Sequence, residues 1–258
     1  MNVLVFDIET VPDVAAGARL YDLQGLEDRE VAEIMYTRRW RETGGTTDFL
    51  RHYLHRVVAI SVLLAGGDRL NLWSLGNTDS TEAELVQRFF EGIEKYSPQL
   101  VSWNGRGFDL PVLHYRALLH GIPAPRYWET GAEDQAFRWN NYLSRYHERH
   151  TDLMDVLSGY EYRAVAPLQE ISLLLGLPGK MGMSGARVWE SFHDGDLVSI
   201  RNYCETDVLN TYLVFLRFQL MRGRLTPVSW RAECDRLRRV LESESATHLQ
   251  EFLDAWKQ

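Results

Sequence analysis

Asp7 and Glu9 stand two residues apart at the end of the apolar run Val3-Leu4-Val5-Phe6. Asp109 follows the Gly-bearing loop Trp103-Asn104-Gly105-Arg106-Gly107-Phe108, and Tyr203 and Asp207 lie four residues apart in a long periodic segment. Side chains alternate along a strand, so Asp7 and Glu9 project to one face. Helix positions i and i+4 lie one above the other, so Tyr203 and Asp207 share a face. Each group has an ordinary alternative: solvated acids in a turn, a helix N-cap at Asp109 ahead of Pro111, and a boundary pair beside the buried stripe Ile200, Cys204, Val208, Thr211 and Phe215. Gathered in one place, the acids repel. At about 4 Å and an effective dielectric near 20, each pair costs about 4 kcal/mol. Such a cluster persists by binding protons or cations. Two divalent ions would match the charge of Asp7, Glu9, Asp109 and Asp207, and hard oxygen donors without a nearby thiolate favour Mg²⁺ or Mn²⁺ over Zn²⁺.

The elements that must position these residues are legible as an α/β pattern. Residues 3–6 read as a buried strand and residues 57–65 as a second, with a Gly66-Gly67-Asp68 hairpin turn into residues 69–75. Thr81 and Glu84 form a capping box for a helix that Pro98 ends, and residues 99–103 form another strand. Helices are expected over 26–42, after Pro111, from Pro167 to Gly176 and over 196–221, with a short extended piece near Asp152. The fold class is therefore α/β, a mixed sheet flanked by helices. Residues 1–225 are expected to form one domain, with residues 226–258 a helical extension packed on it.

Composition narrows the function. The 258 residues are 45% hydrophobic and 25% charged, with 28 basic and 36 acidic side chains and a formal charge of −8. That balance opposes coating of duplex nucleic acid by bulk charge, which needs a basic surface. It leaves room for an acidic pocket that holds cations. Two cysteines, Cys204 and Cys234, cannot build a disulfide framework or a four-thiolate zinc site. The opening MNVLVFDIET lacks the basic start of a signal peptide, and there is no run of 18 apolar residues, so a cytoplasmic location and no membrane contact are expected. Gly179-Lys180 is not a phosphate loop, because Leu174 and Met181 occupy the positions that need Gly and Ser or Thr. Gly105-x-Gly107 lacks the third glycine of a dinucleotide fingerprint, and Arg149 between His147 and His150 argues against a metal pair.

FDIET, NGRGFDLPVL and YCETD, in this order and spacing, resemble the three motifs of the DEDD superfamily of 3′–5′ exonucleases. Tyr203 to Asp207 matches the tyrosine branch, since the histidine branch needs His where this chain has Asn202. The middle motif is most similar to the proofreading domain of family B DNA polymerases. The whole chain resembles a stand-alone bacterial family of predicted exonucleases related to that domain, with further likeness in HTDLMDVLSGY, LPGKMGMSGARVW and HLQEFLDAW. The resemblance implies a ribonuclease H-like fold with a five-stranded mixed sheet. It implies hydrolysis of DNA from the 3′ end, single strands favoured, with two divalent cations. By the family pattern Asp7 bridges both ions, Glu9 and Asp207 complete the ion that activates water, Asp109 holds the second, and Tyr203 orients the attacking water. An exoribonuclease using the same chemistry, or a non-catalytic module that binds nucleic acid or protein on this fold, is the alternative.

Further candidates surround this set. The resemblance suggests Thr10, Asn104 and Phe108 as contacts of the terminal nucleotide, each equally explicable as loop architecture. Asp152 is expected to give structural support. Arg126, Trp128, Arg138, Trp139, Tyr142, Arg145, Tyr146 and Arg149 interleave basic and aromatic residues as single-strand binders do, with Trp139 as a stacking residue. The alternative is an amphipathic helix with its aromatics in the core.

Overall fold

In the computed structural model, which describes residues 2–256, strand β1 (Val3–Pro12) runs through the middle of the sheet. It pairs antiparallel with β2 (His55–Gly66) along its full length, and β2 pairs antiparallel with β3 (Arg69–Ser74). On the other side β1 is parallel to β4 (Gln99–Ser102), which is parallel to β5 (His150–Asp152). The order β3-β2-β1-β4-β5 is the five-stranded mixed sheet expected of a ribonuclease H-like fold.

The helices are α1 (Val14–Tyr21), α2 (Asp28–Glu42), α3 (Glu82–Tyr96), α4 (Asp109–His120), α5 (Pro125–Trp128), α6 (Leu153–Leu157), α7 (Leu168–Leu174), α8 (Val188–His193), α9 (Leu197–Met221), α10 (Pro227–Ser243) and α11 (Thr247–Ala255). The Thr81–Glu84 capping box and the Asp196 cap of α9 form as their sequence signals require. Alternation along β1 sorts the two layers. Leu4, Phe6 and Ile8 pack against Phe89 and Ile93 of α3 and Leu113 of α4. Val5 packs against Val208, Leu209 and Tyr212 of α9, and Val11 joins Tyr203 and Cys204 of the same helix. Odd-numbered residues of β1 therefore face α9. Leu237 and Leu241 of α10 and Phe252 of α11 complete the apolar layer on α9, each buried side chain contributing about 1.5–3 kcal/mol.

One expectation changes and two of the ordinary alternatives fall away. Strand β1 does not end near Phe6: its pairing with β2 carries it on to Pro12, so Asp7 and Glu9 lie within the strand. Its pairing with β4 does stop at Val5, because β4 ends at Ser102. The β4-side edge of β1 is thus left without a strand partner beside the two acids. The helix ahead of Pro111 starts at Asp109, with Phe108 as its cap residue, so Asp109 is not an N-cap. Residues 129–149 form no amphipathic helix; apart from a short 3-10 turn (Gln135–Phe137) they are irregular. Tertiary contacts decide that segment: the Arg149 guanidinium lies 3.7 Å from the Phe137 ring centre, and the Tyr142 hydroxyl donates to the Pro98 carbonyl at 2.7 Å. Among the described residues no helix is long and apolar enough to cross a membrane.

Candidate active site

Asp7 and Glu9 leave β1 on the α9 face, and one turn-spaced pair on α9 meets them. Tyr203 and Asp207 are both buried, not at the solvent boundary. The Tyr203 hydroxyl contacts the Asp207 carboxylate, which holds the tyrosine proton more firmly and lowers the proton affinity of the acid. From the other side, Asp109 at the start of α4 accepts hydrogen bonds from its own amide and from the Ile8 amide on the released edge of β1. A strand edge with no neighbour has a free amide to offer, and Asp109 takes it.

The four acids perturb one another. Asp7 is raised well above the ordinary carboxylate range by loss of solvent, then by Asp109, Glu9 and Asp207. Glu9 is raised by loss of solvent, then by Asp207 and Asp109. Burial pushes Asp109 up to about 7, with a further push from Asp152, and pushes Asp207 up to about 6. Near neutral pH such a cluster takes up protons or holds cations. Burial and the neighbouring charge of Asp207, Glu9 and Asp7 also raise Tyr203, so its hydroxyl stays protonated.

A sulfur lies closer than the sequence suggested. Ligand atoms of Asp7, Glu9 and Cys204 fall within 4.8 Å of one another. The expectation of no sulfur beside the acids is therefore corrected; burial and the charges of Asp7 and Glu9 raise Cys204 well above its usual range and favour its thiol form. The remaining donor set is all carboxylate oxygen, which suits a hard divalent cation.

Sequence reasoning missed Lys180. Its ammonium lies 5.7 Å from the Tyr203 ring centre and lowers the proton affinity of Glu9 and Asp207. Asn210 of α9 pins its loop by exchanging hydrogen bonds with Gly179, accepting at 3.2 Å and donating at 2.9 Å. The signal was present in LPGKMGMSGARVW, in a chain with only three lysines, but nothing local ties that loop to β1.

The lesser candidates divide. The Thr10 hydroxyl, beside a slip in the β1–β2 register, bonds His55 Nδ1 at 2.9 Å. Phe108 is half-buried immediately before Asp109. Asn104 takes a left-handed backbone conformation, φ 62°, and a Cβ at Gly107 would collide with its side chain, so it shapes the loop. Asp152 holds that loop by accepting from the Asn104 and Arg106 amides at 2.9 Å each, and it caps α6. Trp139 is 79% exposed in the irregular segment before β5, with Arg138 over its ring, and is not among the groups around the acids. His150 is buried against Ser102 and Arg106, and His147 Nδ1 accepts from the Asn141 amide, so neither is placed as a metal pair.

No curated protein matches the chain. A family B DNA polymerase from the hyperthermophilic archaeon Pyrobaculum calidifontis is similar at 18% identity and a TM-score of 0.49, over 98% of this chain and 27% of the polymerase, so the chain spans about a quarter of that protein's length. The profile of a family described as predicted 3′–5′ exonucleases related to the exonuclease domain of PolB matches residues 47–256, which hold Asp109, Tyr203 and Asp207. The chain accordingly belongs to this family of predicted 3′–5′ exonucleases, hydrolases that act on nucleic acid.

Proposed function

We propose that the chain removes nucleotides one at a time from the 3′ end of DNA, single strands favoured, and releases nucleoside 5′-monophosphates using two divalent cations, Mg²⁺ or Mn²⁺. The observation that carries this reading is the convergence of Asp7, Glu9, Asp109 and Asp207 from three distant segments, each with its proton affinity raised. When bound, the cations supply positive charge to the attacking water and to the departing 3′ oxygen. Asp7, Glu9, Asp109 and Asp207 would hold the cations, with Glu9 and Asp207 on the side of the attacking water and Asp109 on the side of the departing oxygen. Tyr203 keeps its proton and orients the water by hydrogen bonding, and Asp207 in turn fixes the tyrosine. Lys180 brings a positive charge to the Glu9 and Asp207 side. The water oxygen bonds to phosphorus and gives up a proton to solvent as the bond to the 3′ oxygen breaks, and the departing 3′ oxygen takes a proton up.

Thr10, Asn104 and Phe108 are assigned to the terminal nucleotide, and the exposed Trp139 to a longer strand only. Residues 1–225 are assigned to the nuclease and residues 226–258 to a helical extension of the same domain, supported by the packing of α10 and α11 on α9; Lys257 and Gln258 lie outside the described residues.

The test is digestion of a 5′-labelled single strand in Mn²⁺, beside an RNA of the same sequence. A ladder shortening by single nucleotides from the 3′ end, abolished by EDTA, is expected for DNA. Preferred digestion of the RNA would move the substrate to RNA, since the pocket must accept or reject the 2′-OH. An intact strand of both kinds would remove the nuclease reading.

A further inference from the structure

We propose that Phe49 and His52, backed by the Phe108 ring of the terminal-nucleotide site, form a stacking platform for the second nucleobase from the 3′ end of a single strand; this extends the site and rests on the nuclease reading above. The Phe108 ring, one residue before Asp109, meets three other rings. His55 lies edge-on at 5.0 Å between centres, Phe49 at 5.4 Å and His52 at 5.8 Å. Phe49 also lies 5.2 Å from His55, which bonds Thr10, the neighbour of Glu9. The cluster is therefore joined to the acids from two sides, through Thr10 on β1 and through Phe108 at α4. Exposure rises outward: His55 is buried, Phe108 half-buried and Phe49 52% exposed.

An exposed phenylalanine on a loop ordinarily marks loose chain. Here the backbone is held. The Thr43 hydroxyl donates to the Thr47 carbonyl at 2.6 Å, the Phe49 amide donates to Thr47 Oγ1 at 3.1 Å, and Arg39 Nε donates to the Phe49 carbonyl at 2.9 Å. His52 Nε2 lies 2.8 Å from the Gly107 carbonyl, tying the segment to the loop that ends in Asp109. A fixed backbone that presents an apolar ring to solvent has its ordering cost met before a ligand arrives. The exposed face of the Phe49 ring beside a site for a strand terminus fits a nucleobase face, and stacking tolerates any base.

Binding is measured in the Asp207→Ala background with a twelve-nucleotide DNA strand carrying 2-aminopurine at the second position from the 3′ end. The parent is expected to quench the probe. Phe49→Ala should weaken binding about fivefold or more and remove that quench, and Phe49→Tyr or Phe49→Trp should restore both. A probe moved ten positions upstream should not respond to the Phe49 variants. Unchanged affinity and quench in Phe49→Ala, a loss that neither aromatic restores, or no binding by the parent overturns the platform. These readouts need no turnover, so they separate this inference from the nuclease reading, which the labelled-strand digestion tests.

Discussion

Cys204 on α9 donates its thiol hydrogen to Asp7 on β1, with Sγ 3.3 Å from the Asp7 carbonyl oxygen and 3.6 Å from Oδ2. The contact ties the helix to the strand behind the acids without adding a charge. A protonated sulfur in this position orients Asp7 but does not compete for a hard cation. Cys204→Ser is therefore expected to keep turnover in Mg²⁺ and in Mn²⁺ within about tenfold of the parent, since a neutral hydrogen bond is worth about 1 kcal/mol. Steady-state rates titrated against each metal check this. A collapse of metal affinity in Cys204→Ser would identify the sulfur as a ligand.

Metal-free stability should fall as pH rises. Asp109 and Asp207 have folded-state pKa values of about 7 and about 6, above the ordinary value of 3.8. Groups raised on folding bind protons more tightly in the folded state, so their contribution is complete below about pH 4 and is lost as pH rises through 6 and 7. In EDTA the melting temperature is expected to drop by several degrees between pH 5 and pH 8. Added Mn²⁺ should restore it at pH 8 and do little at pH 5, because cations and protons compete for the same oxygens. Thermal melts at both pH values, with and without metal, decide this. A flat profile in EDTA would show that the acids are not crowded.

What was legible in the sequence is what local chemistry determines. The β2–β3 hairpin, the capping box of α3 and the Asp196 start of α9 each depend on neighbours within a few residues, and each forms as expected. The end of β1 was misjudged because Asp7, Glu9 and Thr10 look like the polar exit of a strand, whereas β2 supplies pairing to Pro12. Asp109 looked like a cap because proline favours the first helical position, but here the helix begins ahead of Pro111 and the carboxylate turns to the Ile8 amide. Strand and helix periods fix only that Asp7 shares a face with Glu9 and Tyr203 with Asp207; the resemblance of FDIET, NGRGFDLPVL and YCETD to the family's three motifs is what singled these residues out. The Cys204–Asp7 bond spans 197 residues, and no spacing rule reaches that far. Lys180 escaped for the same reason, since its loop is held against α9 by the Asn210–Gly179 hydrogen bonds and by packing of Leu177, Met181 and Met183, all distant in sequence from β1.

Substitutions at the site should separate by what each side chain touches. Asp7→Ala and Asp207→Ala remove donors for the cations and are expected to lower turnover by about a thousandfold or more, the scale on which strong electrostatic stabilisation of a transition state acts. Tyr203→Phe removes the hydroxyl that contacts Asp207 and that is proposed to orient the water, but leaves the ring in the core, so it should slow turnover about ten- to a hundredfold. Lys180→Met leaves the acids in place but removes the charge that lowers the proton affinity of Glu9 and Asp207. Its acidic limb in a pH–rate profile should therefore move to higher pH, while Lys180→Arg should hold that limb near its parent position. Single-turnover rates across pH 5 to 9 at saturating Mn²⁺ check the series. Parent-like turnover in Asp207→Ala would dissolve the assignment of the acids. A Lys180→Met profile that drops in height without moving would show that Lys180 acts on the substrate and not through the two carboxylates.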